Sequence, residues 1–444
     1  MTATRWLCFT WLVGCAAMAQ AQQATPALTL QEARQVALAN RPLLRARQFS
    51  AQTAQQLTAQ VQSARYPQVI ASATAATATR ETQVVDGRET TLDTRIAAGG
   101  LNNPTVVRRD AAGLVVSQLI TDFGRTSHLI ESARLGEASQ QQQVNATRAQ
   151  VLLDVDYAYY EVLEAQAVLR VAQKTVDARQ VILDRIAALA RNKMKSELDV
   201  RFAQVNLDEA RLLLLRAQNA VDAAFSRLST ALGYREARRF VLADQAAAAG
   251  LGELDPLLQQ ATVLRPELAS LRADRDAADR FAKAQGALRY PTISAIGAAG
   301  VVPIGDDRFA SPYGAIGVNL NIAVFDGGKI TALQREATLR ALTAAENLSE
   351  AENNVVNAVR VAWLNARAAF ENIGITEHLL EAAQQALKLA ESRYNLGITS
   401  IVELNQAQLS AIDAEIAFSR ATYQYLSARS ALDFQVGVLD QPQR

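Results

Sequence analysis

Between Val355 and Tyr394 apolar residues return in alternating steps of four and three: Val355, Val359, Ala362, Ala366, Ala369, Ile373, Thr376, Leu380, Ala383, Leu387, Ala390 and Tyr394. Thr376 alone in that run is polar. After a short break Leu404, Ala407, Ala411, Ala414, Phe418, Ala421, Tyr425, Ala428 and Leu432 continue the pattern. An a/d repeat sustained this far is the seam of a coiled coil, so the stretch predicts two long helices folded back on each other. Alanine at about every second seam position lets the backbones come close, whereas an ordinary amphipathic helix shows a broader, less regular stripe.

The same stretch occurs twice. Shifted back by 204 residues, the first series becomes Val151, Val155, Ala158, Val162, Ala165, Leu169, Ala172, Val176, Arg179, Leu183, Ile186 and Ala190, with only Arg179 polar. The second becomes Val200, Ala203, Leu207, Ala210, Leu214, Ala217, Val221, Ala224 and Leu228. Gly124 matches Gly328, Ala203-Gln204 matches Ala407-Gln408, and Gly233 matches Gly437. The period is far too long for a solenoid and means two copies of one large unit.

Residues 1–21 read as a signal peptide: Arg5, then the apolar run Trp6 to Ala17, then small-x-small cleavage sites at Ala17-Met18-Ala19 and Ala19-Gln20-Ala21. Leu12-Val13-Gly14-Cys15 also fits a lipobox, which makes Cys15 a candidate lipidation site. Both routes take the chain out of the cytoplasm. Both cysteines, Cys8 and Cys15, fall in this segment, so the mature chain offers no disulfide or thiolate chemistry apart from an anchor at Cys15. No later stretch reaches the apolar length of a membrane helix. A net charge of +1 and the lack of an aromatic–basic patch argue against nucleic acid.

The first repeat is read as residues 22–234 and the second as 253–438, joined by a linker at 235–252 and followed by a loose tail at 439–444. Thr29-Leu30-Gln31-Glu32 is a capping box opening a short helix. Arg41-Pro42 opens a second helix, which Arg65-Tyr66-Pro67 closes. Arg265-Pro266 and Arg289-Tyr290-Pro291 repeat that punctuation at the same spacing. After each Tyr-Pro the texture turns to Ala, Thr, Ser and Gly. Strands are expected at about 68–84 and 106–121, and again at about 291–302 and 313–324. The last is the clearest: Ile316, Val318, Leu320, Ile322 and Val324 alternate with Gly317, Asn319, Asn321 and Ala323, a strand half in oil and half in water. Asp86 to Pro104 and Pro303 to Pro312 read as loops. Each strand pair then meets a glycine and a long helix, about 125–190 or 328–395, near 100 Å long at 1.5 Å per residue. Return helices follow at about 196–232 and 400–436.

Four strands cannot stand alone in a membrane, because their edges would leave unpaired backbone groups in hydrocarbon. Only a closed barrel avoids this, so the strands must be pooled among chains: eight in a dimer, twelve in a trimer. Helices of this length would continue such a barrel as a tube. The fold class is therefore mixed α and transmembrane β, duplicated within the chain.

These features together resemble the TolC family of outer-membrane efflux proteins. The likeness rests on Arg393-Tyr394, Gly397, Ser400, Glu403-Leu404 and Ala407-Gln408 around the second helix tip. It also rests on Phe325-Asp326-Gly327-Gly328 at a strand–helix junction and on the leading Leu28-Thr29-Leu30-Gln31-Glu32-Ala33. It covers essentially the whole mature chain. The resemblance implies a homotrimer with a twelve-stranded β-barrel in the outer membrane, continued by a periplasmic α-helical barrel. It implies as partners a periplasmic adaptor (membrane fusion) protein and an inner-membrane pump. The expected function is a passive exit duct for small molecules; the exit duct of a type I protein secretion system is the alternative within this fold. An exported coiled-coil scaffold without a pore is the alternative outside it, and the alternating strand at 313–324 argues against that one.

No constellation for catalysis or metal binding is visible. His128 and His378 are the only histidines, and no carboxylate or cysteine joins them at ligand spacing. No phosphate loop or nucleophile elbow occurs. The chain is read as no enzyme and as holding no cofactor. Asp199 and Glu403 stand at matching places just past the two tips, either as helix-start acids favoured by the macrodipole or as carboxylates ringing a narrowed tunnel mouth. Gln406 stands where family members often carry a second acid. Asn192, Lys193, Leu396, Gly397 and Ile398 make up the tips expected to dock the adaptor; the first tip lacks the second's glycine. Tyr66, Tyr290, Phe123 and Phe325 fall at the barrel–tunnel junctions, as an interfacial belt or as ordinary packing.

Overall fold

The computed structural model describes residues 27–77, 83–85, 88–90, 108–244, 250–301 and 312–440. The expected signal peptide with Cys15, and the last four residues, lie outside them. In the first repeat helices α1 (Leu30–Asn40) and α2 (Pro42–Gln62) lead into strand β1 (Gln68–Thr77), a small hairpin of β2 (Gln83–Val85) and β3 (Arg88–Thr90), and β4 (Arg108–Thr121). The long helix α3 (Arg125–Arg191) and its return α4 (Glu197–Ala231) follow. The second repeat runs α5 (Leu254–Leu264), α6 (Pro266–Gly286), β5 (Thr292–Val301), β6 (Pro312–Asn321), α7 (Lys329–Asn395) and α8 (Ile401–Val436).

Every heptad seam residue of α7 and α8 is buried or half-buried, while the positions between them on α7 are mostly exposed. α3 shows the same seam but buries further faces, including Leu152, Tyr159, Leu163 and Val171. The difference lies in the neighbours: α3 touches α1, α2, α4, α6 and α8, whereas α7 touches α5, α6 and α8. The helices thus form four columns in one layer, α4 with α2, then α3, then α8 with α6, then α7. Each mixed column is joined end to end. Gly233 ends α4 at φ +85°, and a Cβ there would lie 2.9 Å from the Asn40 side chain. Arg41 donates to the Thr230 carbonyl at 3.1 Å across that joint. In the second repeat Gly437, at φ +87°, meets the backbone of Leu264 and Arg265, and Arg265 donates to Gln435 at 2.8 Å. Left-handed backbone plus close approach leaves glycine as the residue for both places.

The four strands form one antiparallel sheet in the order β1-β4-β5-β6, one strand per helical column. Its register sorts the side chains. Val69, Ala71, Leu114, Val116, Ile293, Ala295, Ile316, Val318 and Leu320 share one face. Gln68, Ser72, Ser117, Ser294, Gly317, Asn319 and Asn321 share the other with Ile70, Val115, Leu119 and Ile296. Near the helices the β4–β5 register slips between Leu119 and Thr121, a bulge that turns β4 toward α3. The outer edges of β1 and β6 pair with no other described strand.

The junction from strand to helix uses one device twice. Asp122 accepts from the Thr126 amide at 2.7 Å after a left-handed turn at Phe123 and Gly124. Asp326 accepts from the amides of Gly328 at 2.9 Å and Ile330 at 2.6 Å after Gly327 and Gly328 take the same turn. These bonds satisfy orphan donors of the helix start and hold the Asp326 carboxyl below its ordinary range, the Ile330 amide most.

Several sequence expectations are corrected. The last strand ends at Asn321, not 324, because its partner β5 begins at Thr292, directly after Pro291, and offers nothing opposite Ile322. Of the first expected strand, 68–84, β1 covers Gln68–Thr77, with Thr77 opposite Arg108, residues 78–82 lie outside the described residues, and Gln83–Val85 pairs with β3 inside the stretch read as a loop. The linker is not free throughout. Leu28 and Leu242 form a parallel bridge, and the buried Tyr159 hydroxyl lies 2.8 Å from the Leu28 carbonyl and 2.6 Å from that of Ala243. The tail begins docked, with Leu439 buried beside Leu152 and Leu153 and Asp440 paired to Arg148 at 2.8 Å.

Candidate functional site

The residues singled out at the helix turns meet at one end of the molecule. Ile186, Ala203, Ala390, Tyr394, Ile401 and Leu404 form a single small core there, so the two hairpin tips stand side by side. Their turns are built alike. The Met194 amide donates to the Leu189 carbonyl at 2.9 Å, and the Ile398 amide donates to the Arg393 carbonyl at 2.9 Å. This closure forces one residue left-handed in each turn, Lys193 at φ +55° and Gly397 at φ +74°. Glycine takes that conformation freely, while a residue with a Cβ is disfavoured there by roughly 1–2 kcal/mol. The first tip therefore keeps a lysine against a local penalty.

The charges of the two tips are handled differently. At the second, Arg393 donates to Glu403 at 2.7 Å, and Thr399 also bonds that carboxylate. At the first, Leu189 occupies the place of Arg393. Asp199 instead completes a capping box: Ser196 donates to it from its amide at 3.1 Å and its hydroxyl at 3.0 Å. Lys195 lies over the Tyr394 ring, 4.0 Å from its centroid, and ties one tip to the other. The Tyr394 hydroxyl beneath is buried without a hydrogen-bond partner among the described residues. Arg191 and Lys193 are exposed, with no carboxylate of the described residues in ion-pair reach. Gln406 and Asn192 are exposed, as are Met194, Leu198, Leu396, Ile398 and Val402.

Sequence reasoning missed three contacts. Lys195 on Tyr394 joins residues with no common motif. Arg179, the one polar residue in its seam, is buried and bonded to Gln408 of α8, linking the two coiled coils. Burial holds its guanidinium below the ordinary arginine range. Its polarity within an apolar seam was the available signal. At the far end, Tyr313 lies across the polar sheet face over two glycines: a Cβ on Gly300 would sit 2.7 Å from its hydroxyl and one on Gly113 2.8 Å.

At the junction of strands and helices the Phe123 and Tyr290 rings pack 5.6 Å apart, and both are exposed, as are Tyr66 and Phe325. A groove of about 750 Å³ opens there, with His128, Arg275 and Lys283 among its walls. His378 is exposed, 3.9 Å from Glu381. Among the described residues no three His, Cys, Asp or Glu side chains gather as metal ligands, and no helix is long and apolar enough to cross a membrane.

The outer membrane efflux protein family model matches residues 33–234 and 257–438, one block in each repeat. The chain is 25% identical to the outer membrane protein TolC of Vibrio cholerae over 342 residues, 74% of this chain and 77% of that protein. It is 26% identical to the alkaline protease secretion protein AprF of Pseudomonas aeruginosa over 179 residues, 40% of this chain and 37% of that one. The solved outer membrane protein VceC of Vibrio cholerae shares the fold at a TM-score of 0.77 and 18% identity, over 92% of this chain and 96% of that one.

Proposed function

The chain belongs to the outer membrane efflux protein family, and from that premise we propose that it is the passive exit duct of a tripartite efflux assembly. It is an outer-membrane channel protein and not an enzyme. The finer reading is a homotrimer that receives small molecules from an inner-membrane pump through a periplasmic adaptor and releases them outside.

One observation carries this reading. The sheet is open, with alternate residues of the ten-residue strands β1 and β6 turning their backbone groups to outer edges that are unpaired among the described residues. Each unmatched backbone group in hydrocarbon costs several kcal/mol, so the edges must find each other around a ring. The flanking columns agree: α2 exposes Leu43, Phe49 and Leu57, and α7 exposes Leu339, Leu342, Val361 and Leu364. Three copies give twelve strands and a lumen lined by the Ser, Asn and Gly face. Two copies would give eight strands, an interior just wide enough for side chains to fill. Mass measurement of the detergent-solubilised protein tests this; a trimer is expected, and a monomer or dimer refutes the pooled barrel.

In the same reading Asn192, Lys193, Leu396, Gly397 and Ile398 dock the adaptor, and Asp199, Glu403 and Gln406 surround the periplasmic mouth. The match to AprF favours a second reading, the exit duct of a type I secretion system. Deleting the gene separates the two: loss of small-molecule efflux raises drug susceptibility, whereas loss of secretion depletes a protein from the medium.

A further inference from the structure

The two tips share one backbone design and both expose apolar side chains, but only the first carries cations unpaired among the described residues. We infer that they read a composite partner surface, the first tip engaging carboxylates of the periplasmic adaptor and the second an adjoining apolar side chain. This rests on the docking reading above and adds the partner's chemistry to it.

Three observations support it. Arg191 and Lys193 project from the first turn without a carboxylate partner among the described residues, and Lys195 stands beside them over Tyr394. The acids nearest in sequence are already engaged, Asp199 in its capping box and Glu197 with Arg201 at 3.3 Å. The second tip's charges cancel in the Arg393–Glu403 pair, leaving Leu396, Ile398 and Val402 as its exposed large apolar side chains. Lys193 matters most, since at the equivalent place of the same turn the second repeat uses Gly397. Retaining a side chain in a left-handed backbone makes sense where that side chain contacts something. Exposed cations beside exposed apolar groups fit a partner with acidic residues flanking an apolar one, and complementary charge sets the register of such a contact. A second copy is a poor occupant, because two cationic tips repel.

The test uses the full-length trimer in detergent and each periplasmic adaptor of the host, purified singly. Binding to the wild type should weaken at least about tenfold from roughly 0.05 to 0.5 M salt, as screening removes the charge contacts. Arg191→Ala with Lys193→Gly should weaken low-salt binding by about tenfold or more and abolish the salt dependence. Glycine suits this turn, so its thermal unfolding should not fall. Leu396→Ser with Ile398→Ser should weaken binding while keeping the salt dependence. An unchanged salt slope in the charge variant overturns the inference, whatever its affinity. If the apolar variant alone loses binding, docking at the tips stands without the charge code. If both variants bind like the wild type, or no adaptor binds the wild type, docking at the tips fails and the inference with it. Salt-dependent pairing of trimers with each other in place of adaptor binding would also refute it.

Discussion

Single residues here differ in how far their partners fix them. Arg179 is buried at the joint of the two coiled coils and donates a hydrogen bond to the neutral Gln408. Gln408→Leu should leave that guanidinium unsatisfied and destabilise the fold by about 2–4 kcal/mol. Arg179→Met with Gln408→Leu removes both polar groups and should recover most of the loss, because an apolar pair of similar volume packs without a buried charge. Chemical unfolding of the two variants decides it; equal loss in both would mean that the packing there does not tolerate the new side chains. Asp326 illustrates the pH side. Its backbone bonds depress its folded pKa, so its contribution is complete above the ordinary carboxyl range and disappears as pH falls through the depressed value. Asp326→Asn should therefore differ from wild type in thermal unfolding at neutral pH and converge with it in strong acid. A gap independent of pH would show that the carboxylate's charge is not what caps α7.

Whole elements were legible in proportion to their local rules. The heptads mark the long helices because each seam position has the same kind of neighbour, and nothing distant in sequence is needed to state it. Strand ends were not legible in the same way. Ile322 and Val324 continue the alternation of β6, yet the strand stops at Asn321, where β5 has run out. Hydrogen-bonded length is set by the partner, and the partner's start at Thr292 is fixed by Pro291. The tips show the same division. Gly397 announces its turn, but Lys193 conceals an identical one, and Lys195 on Tyr394 depends on two hairpins meeting. The seams also yield a packing prediction. Ala414 is buried beside Ala383 and Ala411, so Ala414→Leu should cost about 1–3 kcal/mol from overpacking. Arg420, exposed and paired to Glu164 at 3.3 Å, should accept Ala with a loss below about 1 kcal/mol. Equal melting shifts for the two would mean that the seam register is wrong.

At the scale of the whole molecule, the question is what three copies of this chain would present to an ion at the periplasmic end. In the proposed trimer the docking cation Lys193 stands on its turn, while Asp199 and Glu403 stand in the first turns of the return helices. The mouth acids are partly engaged within each chain: Glu403 with Arg393, Asp199 with Ser196. An exposed pair of this kind contributes only about 0–1 kcal/mol, so it opens readily and leaves a negative field at a narrow opening. Purified trimers in a planar bilayer should therefore show a small conductance selective for cations. Glu403→Ala with Asp199→Ala should reduce the selectivity and blunt block by multivalent cations from the periplasmic side. Arg393→Ala should do the opposite, freeing Glu403 and increasing the preference for cations. Reversal potentials in a salt gradient measure all three. If the double variant keeps the wild-type value and Arg393→Ala does not move it, both acids serve only their helix starts, and the constriction must be sought deeper in the tunnel.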